Sequence, residues 1–347
     1  MKIKESTVLT ALLSLLLFSC TERDRFVLIS GYAQGGTYSV KANLRGVRTP
    51  AGVITSAVDS ILTLVDTTLS GYNKSSVLSR FNAGETVVPD QLFCDIYNYC
   101  SDLYVETDGC LDIASGPLFD IWGFGFSTDS LPSEDLVRET LATCGMSRLP
   151  SLIEPGKPLD PSALVEPGAP LPRLNFNAVA QGYTCDLVAG YLRSIGVKDM
   201  LVDIGEIYCE GHNPSGRGWT IGVDRPVDGN NEPGADLDGL WSSEMQACGI
   251  VTSGNYRKFY IRDGRKYAHT VDPRTGYPVQ HQLLSATIVA QTAAEADALA
   301  TYCMVIGLEE AQKYILGRED IEGYLIYDRD GAMREWASPA FSLIESD

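Results

Sequence analysis

The stretch "IVTSGNYRKFYIRDGRKYAHTV", Ile250 to Val271, alternates apolar and polar residues on both sides of Asp263–Gly264. An Asp-Gly pair flanked this way predicts a two-residue hairpin turn, and a turn that short joins only antiparallel strands. Further strands are expected over "RFVLISGYAQGGTYSVKANL" (a pair joined by a Gly-rich turn), "RLNFN", "DMLVDIG", "GWTIGVDRP" and "LLSATIVA". "GCLDIASGPLFDIWGFG" reads as a strand-like start running into a Gly/Pro-rich loop around a buried Trp122. Helices are expected over 55–69, where Val58, Ile61, Leu62 and Val65 share a face, and over 91–107, 179–195 and 292–306. No regular strand–helix–strand alternation is present. The pattern predicts an α+β fold with mixed, largely antiparallel sheets and interspersed helices, not a doubly wound parallel sheet.

Seven prolines between Pro150 and Pro172 predict an exposed excursion or hinge, because proline serves neither a helix interior nor a central strand. The N-terminus is expected to lie outside the fold. Lys2 and Lys4 precede an apolar run from Leu9 to Phe18 that is too short for a mature membrane span and fits an export signal. Leu17, Ser19 and Cys20 then resemble a bacterial lipoprotein cleavage box, with Phe18 bulkier than usual. The expected organisation is a signal at 1–19, a tether at 20–30 lipidated on Cys20, and one domain at 31–345 on the cell-envelope side of a membrane. Export permits disulfides, but the cysteines form no CxxC or zinc-like spacing and their connectivity is not legible.

The 347 residues carry a formal charge of −18, which repels a phosphate backbone and argues against nucleic acid as a partner. A phosphorylated small molecule is compatible if a metal ion reverses the local sign.

Asp297 and Thr301 lie four residues apart on one expected helix face. A carboxylate and a hydroxyl suit Mg²⁺; the plainer reading is a helix-favouring aspartate, expected to face solvent, and a core-facing threonine. Asn175 and Asn177 precede a helix whose first turns contain Gly182, as caps and a packing glycine do. Ser253 and Gly254 are expected at a bend between strands, and Gly205 at the end of one. In "YAHTVDPRTGYP" one of only three histidines, His269, ends a strand ahead of a turn set by Pro273 and Gly276. Such a turn can hold an acid–base group rigidly or simply expose a histidine.

Eight stretches in order resemble the FAD:protein FMN transferase family, also called ApbE: "AQGGTYSV", "LSGYNKSSVLSRFN", "LDIASGPLFDIWGFG", "NAVAQGYTCD", "LVDIG", "VTSGNYRKFY", "YAHTVDPRTGYPV" and "EADALAT". The resemblance implies a single α+β domain with a flavin in a cleft. It implies a Mg²⁺-dependent enzyme that moves the FMN phosphoryl of FAD to a Ser or Thr hydroxyl of an acceptor protein and releases AMP. Some members hydrolyse FAD to FMN and AMP; a third reading is an FAD-binding lipoprotein without catalysis. Carried over by position, Asp297, Thr301 and the Ala178 carbonyl would hold the metal. Gln34, Tyr72, Cys110, Leu111, Asp112, Asn175, Gln181 and Val271 would line the FAD site, Tyr72 offering an aromatic face, and His269 would be catalytic. The chain departs from the family pattern at Gly36, Asn175, Gln181 and Glu206.

Overall fold

A computed structural model describes residues 24–124, 131–230, 234–244, 246–256, 259–262 and 265–344. The export signal, Cys20 and the Asp263–Gly264 turn lie outside the described residues.

The strands are β1 (Phe26–Ala33), β2 (Gly36–Asn43), β3 (Met200–Asp203), β4 (Ile207–Glu210), β5 (Thr220–Asp224), β6 (Leu237–Ser242), β7 (Cys248–Gly254), β8 (Phe259–Arg262), β9 (Arg265–Ala268), β10 (Val271–Asp272), β11 (Tyr277–Pro278), β12 (Leu283–Ala290), β13 (Glu322–Arg329), β14 (Ala332–Ala337) and β15 (Leu343–Ile344). The helices are α1 (Ala51–Leu69), α2 (Val77–Asn82), α3 (Gln91–Glu106), α4 (Gly116–Ile121), α5 (Glu134–Leu141), α6 (Ala180–Ser194), α7 (Ala293–Ile306) and α8 (Leu308–Leu316).

One eight-stranded sheet, in the order β1-β2-β3-β4-β7-β12-β13-β14, organises the fold, and all of its pairings are antiparallel. Period-two alternation decides which side each residue faces. Val40, Met200, Val202 and Tyr208 meet α1 and α6 on one face, and Ala286, Ile288 and Leu325 continue that face under α7 and α8. Leu201, Cys209, Cys248, Ile250, Val289 and Ile326 point the other way, onto Trp219, Ile221 and Trp241 of the small sheet β15-β6-β5 and its flank. Residues Ile54, Val58, Leu62 and Val65 of α1 form the buried stripe expected of an amphipathic helix.

β1 begins at Phe26, within the stretch expected as a tether. Three expectations are corrected. "GCLDIAS" is not strand-like: Asp112 accepts from the Ala114 N–H and caps a 3₁₀ turn, Ile113–Ser115, which runs into α4. "RLNFN" is not a strand either. Its Leu174 amide and carbonyl pair with the Asn82 side chain, at 2.7 and 2.8 Å, and the Asn175 N–H pairs with Ile113 O, so no neighbouring strand is needed. The proline-rich excursion is no hinge. Tyr97 Oη donates to Pro150 O, Asn98 pairs in both directions with Ile153, and Leu159 bridges to Val87, so the segment is fastened to α3 and its neighbours.

Candidate active site

Two helix starts cap each other at the centre of the site. α6 begins after Val179, which has no side chain able to cap it. Instead the Gly182 N–H donates to Asp297 Oδ2 of α7, at 3.0 Å. Reciprocally, Asp186 of α6 accepts from the Ala293 and Ala294 N–H groups at the start of α7, at 2.9 and 2.8 Å. This crossing needs glycine at 182: a Cβ there would lie 2.2 Å from the Ala293 carbonyl oxygen.

Asp297 is therefore buried, only 4% exposed, and not the solvent-facing carboxylate expected from sequence. Burial pushes its carboxyl up to about 7; the Gly182 N–H pulls it down and the Asp186 charge pushes it further up. Asp186 is likewise pushed up by burial, to about 6, against the two amides that favour its charge. A buried acid this reluctant to ionise is a place where a cation would be welcome. One turn along α7, Thr301 Oγ1 lies 3.3 Å from Ser253 Oγ. Ser253 is inside β7, opposite Ala286, and not at a bend. Ala178 sits in the turn that leads into α6. Asp297 and Thr301 offer oxygen donors of the kind Mg²⁺ takes, and the Ala178 carbonyl would add a third. Among the described residues no group of three or more His, Cys, Asp or Glu could hold a metal by itself. A hard cation here would thus depend on substrate oxygens and water for the rest of its shell.

The β1–β2 turn brings Gln34 to the same helix start. Gln34 adopts φ 51 beside Gly35 at φ 83, and its Nε2 donates to Thr184 Oγ1 at 2.7 Å. Gln181 Nε2 donates to Ile204 O, at 3.1 Å, where Gly205 at φ +91 ends the β3 segment and leaves room for that amide.

The other wall is the histidine loop. β7 runs on to Asn255, whose Oδ1 accepts from Thr270 Oγ1 at 2.6 Å. His269 stands between that anchor and the end of β9, half-buried, with its ring 6.5 Å from Phe124 in an edge arrangement. The following turn is over-determined. Val271 pairs with Pro278 and Asp272 with Tyr277, Asp272 O accepts from the Gly276 N–H, and Trp122 Nε1 donates to Gly276 O at 2.7 Å. Gly276 has φ +79 and a Cβ there would press on Val137. The turn that follows His269 is thus fastened at several points.

Arg274 forks onto Asp272 at 2.9 and 3.0 Å and lies close enough to Cys110 and Tyr302 to be felt electrostatically by both. Tyr302 follows Thr301, so Arg274 links the histidine turn to the metal-candidate helix. Burial raises the Cys110 thiol to about 11, with Arg274 opposing it. Cys110, Leu111 and Val271 are fully buried and shape the wall from behind. Asp112, pushed up to about 6 by burial, is committed to the Ala114 and Met146 amides, so it positions loops. Asn175 packs its Cβ against Gly116, and its Oδ1 accepts from the Asn177 N–H. Tyr72 is 82% exposed, so it forms no closed wall.

A cleft of about 180 Å³ includes Asp112, Gly145, Pro273 and Arg274 in its lining. A larger one, about 330 Å³, lies beside Asp186, Arg193 and Tyr208 and contains none of the expected site residues. Of the expected site residues the smaller cleft holds only Asp112, and the larger one touches the α6–α7 crossing through Asp186 and Thr292. Sequence reasoning gave no role at the site to Asp186 or Arg274 and put Ser253 at a bend. For Arg274 the "DPRTG" signature was available; for the other two, only the helix and strand crossings reveal the role.

The ApbE family model matches residues 35–325. The chain belongs to the ApbE family. It is 32% identical over 282 residues to the FAD:protein FMN transferase of Escherichia coli K12, covering 80% of this chain and 77% of that one. The solved flavin transferase ApbE from Vibrio cholerae superposes with a TM-score of 0.76 at 29% identity, covering 92% of this chain and 98% of that one. The apo flavinyl transferase ApbE from Pseudomonas stutzeri gives 0.77 at 29% identity, covering 91% and 96%. The α+β fold thus agrees with the solved family members.

Proposed function

We propose that this protein is an FAD:protein FMN transferase whose site is built from residues of the α6–α7 crossing and of the His269 loop. Family membership over residues 35–325 is the observation that carries the reading. In the reaction, a Ser or Thr hydroxyl of an acceptor protein attacks the FMN-side phosphorus of FAD. The new P–O bond forms as the bond to the AMP phosphate breaks, and AMP leaves. In this reading His269 takes the hydroxyl proton as a general base held ahead of a fastened turn. Asp297, Thr301 and the Ala178 carbonyl would hold Mg²⁺. That ion supplies charge neutralisation at the pyrophosphate, which an acidic protein cannot supply from its own side chains. Gln34, Gln181, Asn175 and Tyr72 are assigned to the FAD site, over the buried floor of Cys110, Leu111, Asp112 and Val271.

The protein is further proposed to be lipid-anchored through Cys20 in the cell envelope, on the strength of the basic start, short apolar run and Ser19–Cys20 junction. The test of the function is incubation with FAD, Mg²⁺ and a candidate acceptor, followed by mass spectrometry. Addition of FMN to a Ser or Thr with matching AMP supports the transferase. AMP and FMN without acceptor labelling would make it an FAD pyrophosphatase, and tight FAD binding with no AMP would make it a carrier.

A further inference from the structure

β4 and β7 are neighbours in the sheet although β5 and β6 lie between them in the chain. At their junction Cys209 stands directly opposite Cys248. The two Sγ atoms are 3.7 Å apart, on the same face, inside the cluster that includes Trp219, Trp241 and Ile250. Directly opposed residues of antiparallel strands have Cα atoms ~4.5–5.5 Å apart, within the ~4.4–6.8 Å that a disulfide spans. A disulfide requires the sulfurs to close from 3.7 Å to ~2.05 Å, the kind of shift that rotation about χ1 produces.

We propose that Cys209 and Cys248 form a disulfide when the protein folds under oxidising conditions, closing the excursion 210–247 at its base. The two thiols lose two protons and two electrons and an Sγ–Sγ bond forms. The oxidant is a thiol-derived disulfide, small-molecule or protein, whose own S–S bond is reduced to two thiols. Cys209 is wholly buried and Cys248 nearly so, and the neighbouring Cys209 sulfur, with burial behind it, holds the Cys248 thiol well above its ordinary range. Exchange in the finished fold is therefore slow, and oxidation accompanies pairing of β4 with β7. The other cysteines in the described residues have no such partner: each is buried or half-buried, and none lies opposite a second cysteine in the sheet register. The link would fasten β7, the strand that carries Ser253 to Thr301, to the centre of the sheet.

The experiment is refolding of the full chain in mixed oxidised and reduced glutathione, alkylation of remaining thiols, digestion and mass spectrometry. The expected result is one cross-linked peptide pair joining Cys209 to Cys248, about 2 Da lighter than the two reduced peptides. The unfolding temperature should rise by about 5 °C over the reduced protein. The Cys209→Ala/Cys248→Ala variant should unfold at the same temperature with and without reductant. Both thiols alkylated after refolding in excess oxidised glutathione overturns the proposal. A link between other cysteines overturns the assignment, and a link formed without thermal gain overturns the fastening role.

Discussion

Replacing Asp297 by asparagine tests the centre of the site without relying on turnover. The carboxyl is buried and pushed up to about 7 from 3.8. A raised folded-state pKa means that the native protein holds a proton the unfolded chain has released between roughly pH 4 and pH 7. Stability contributed by this group is therefore present at low pH and lost as pH rises through that window. About three units of displacement at ~1.4 kcal/mol each give a loss on the order of 4 kcal/mol by pH ~8 in the absence of a cation. Asparagine keeps an oxygen for the Gly182 N–H and cannot ionise. Its buried NH₂ returns about 1–2 kcal/mol of that gain if it finds no acceptor. Metal-free Asp297→Asn should thus be more stable than wild type by about 2 kcal/mol at pH ~8, and no more stable at pH ~5.

The assay is urea unfolding followed by circular dichroism at both pH values, after chelation and then with Mg²⁺. With a slope near ~3 kcal/mol/M, the alkaline midpoint should rise by roughly 0.5–1 M in the variant. Mg²⁺ at about a hundredfold its dissociation constant should add about 2.7 kcal/mol to wild type and little to the variant. A metal-free variant that is less stable than wild type at pH ~8 would refute the burial argument. Equal stabilisation of both proteins by Mg²⁺ would remove Asp297 from the metal site.

Four further outcomes follow from the same geometry. His269→Ala should lower flavin transfer by ~10²–10⁴-fold while FAD affinity, measured by fluorescence titration, is retained; full activity would make the histidine a bystander. Trp122→Phe removes the donor to Gly276 O and should cost about 1–3 kcal/mol in denaturant unfolding, with transfer reduced as the histidine loop loosens. Gly182→Ala places a methyl 2.2 Å from the Ala293 carbonyl and should destabilise by more than ~3 kcal/mol; a soluble variant with an unchanged unfolding midpoint would show that the α6–α7 crossing can open. Cys20→Ser should move the protein from the membrane to the soluble fraction, and an unchanged distribution with no lipid on the wild type would remove the anchor.

The parts of this fold that the sequence made legible are those governed by local chemistry. The Gly-rich turn between two alternating runs marks β1 and β2, the apolar run marks β12 as a strand buried on both faces, and the 3.6-residue stripe marks α1 with its one buried face. The DPRTG turn is legible because Pro273 and Gly276 leave its backbone few choices. What misled was chemistry settled across distance. "RLNFN" carries strand-like residues, yet the Asn82 side chain, 92 residues away, satisfies the Leu174 backbone that a neighbouring strand would otherwise have satisfied. "GCLDIAS" looks extended until Asp112 turns inward to cap its own 3₁₀ turn and hold Met146. Asp297 shows the same limit at the site itself. Its i,i+4 relation to Thr301 marks two residues on one helix face, but helical spacing carries no information about what the helix lies against. Only the Gly182 crossing, 115 residues away, buries that carboxylate, and burial turns an ordinary helix acid into one whose ionisation a bound cation would favour.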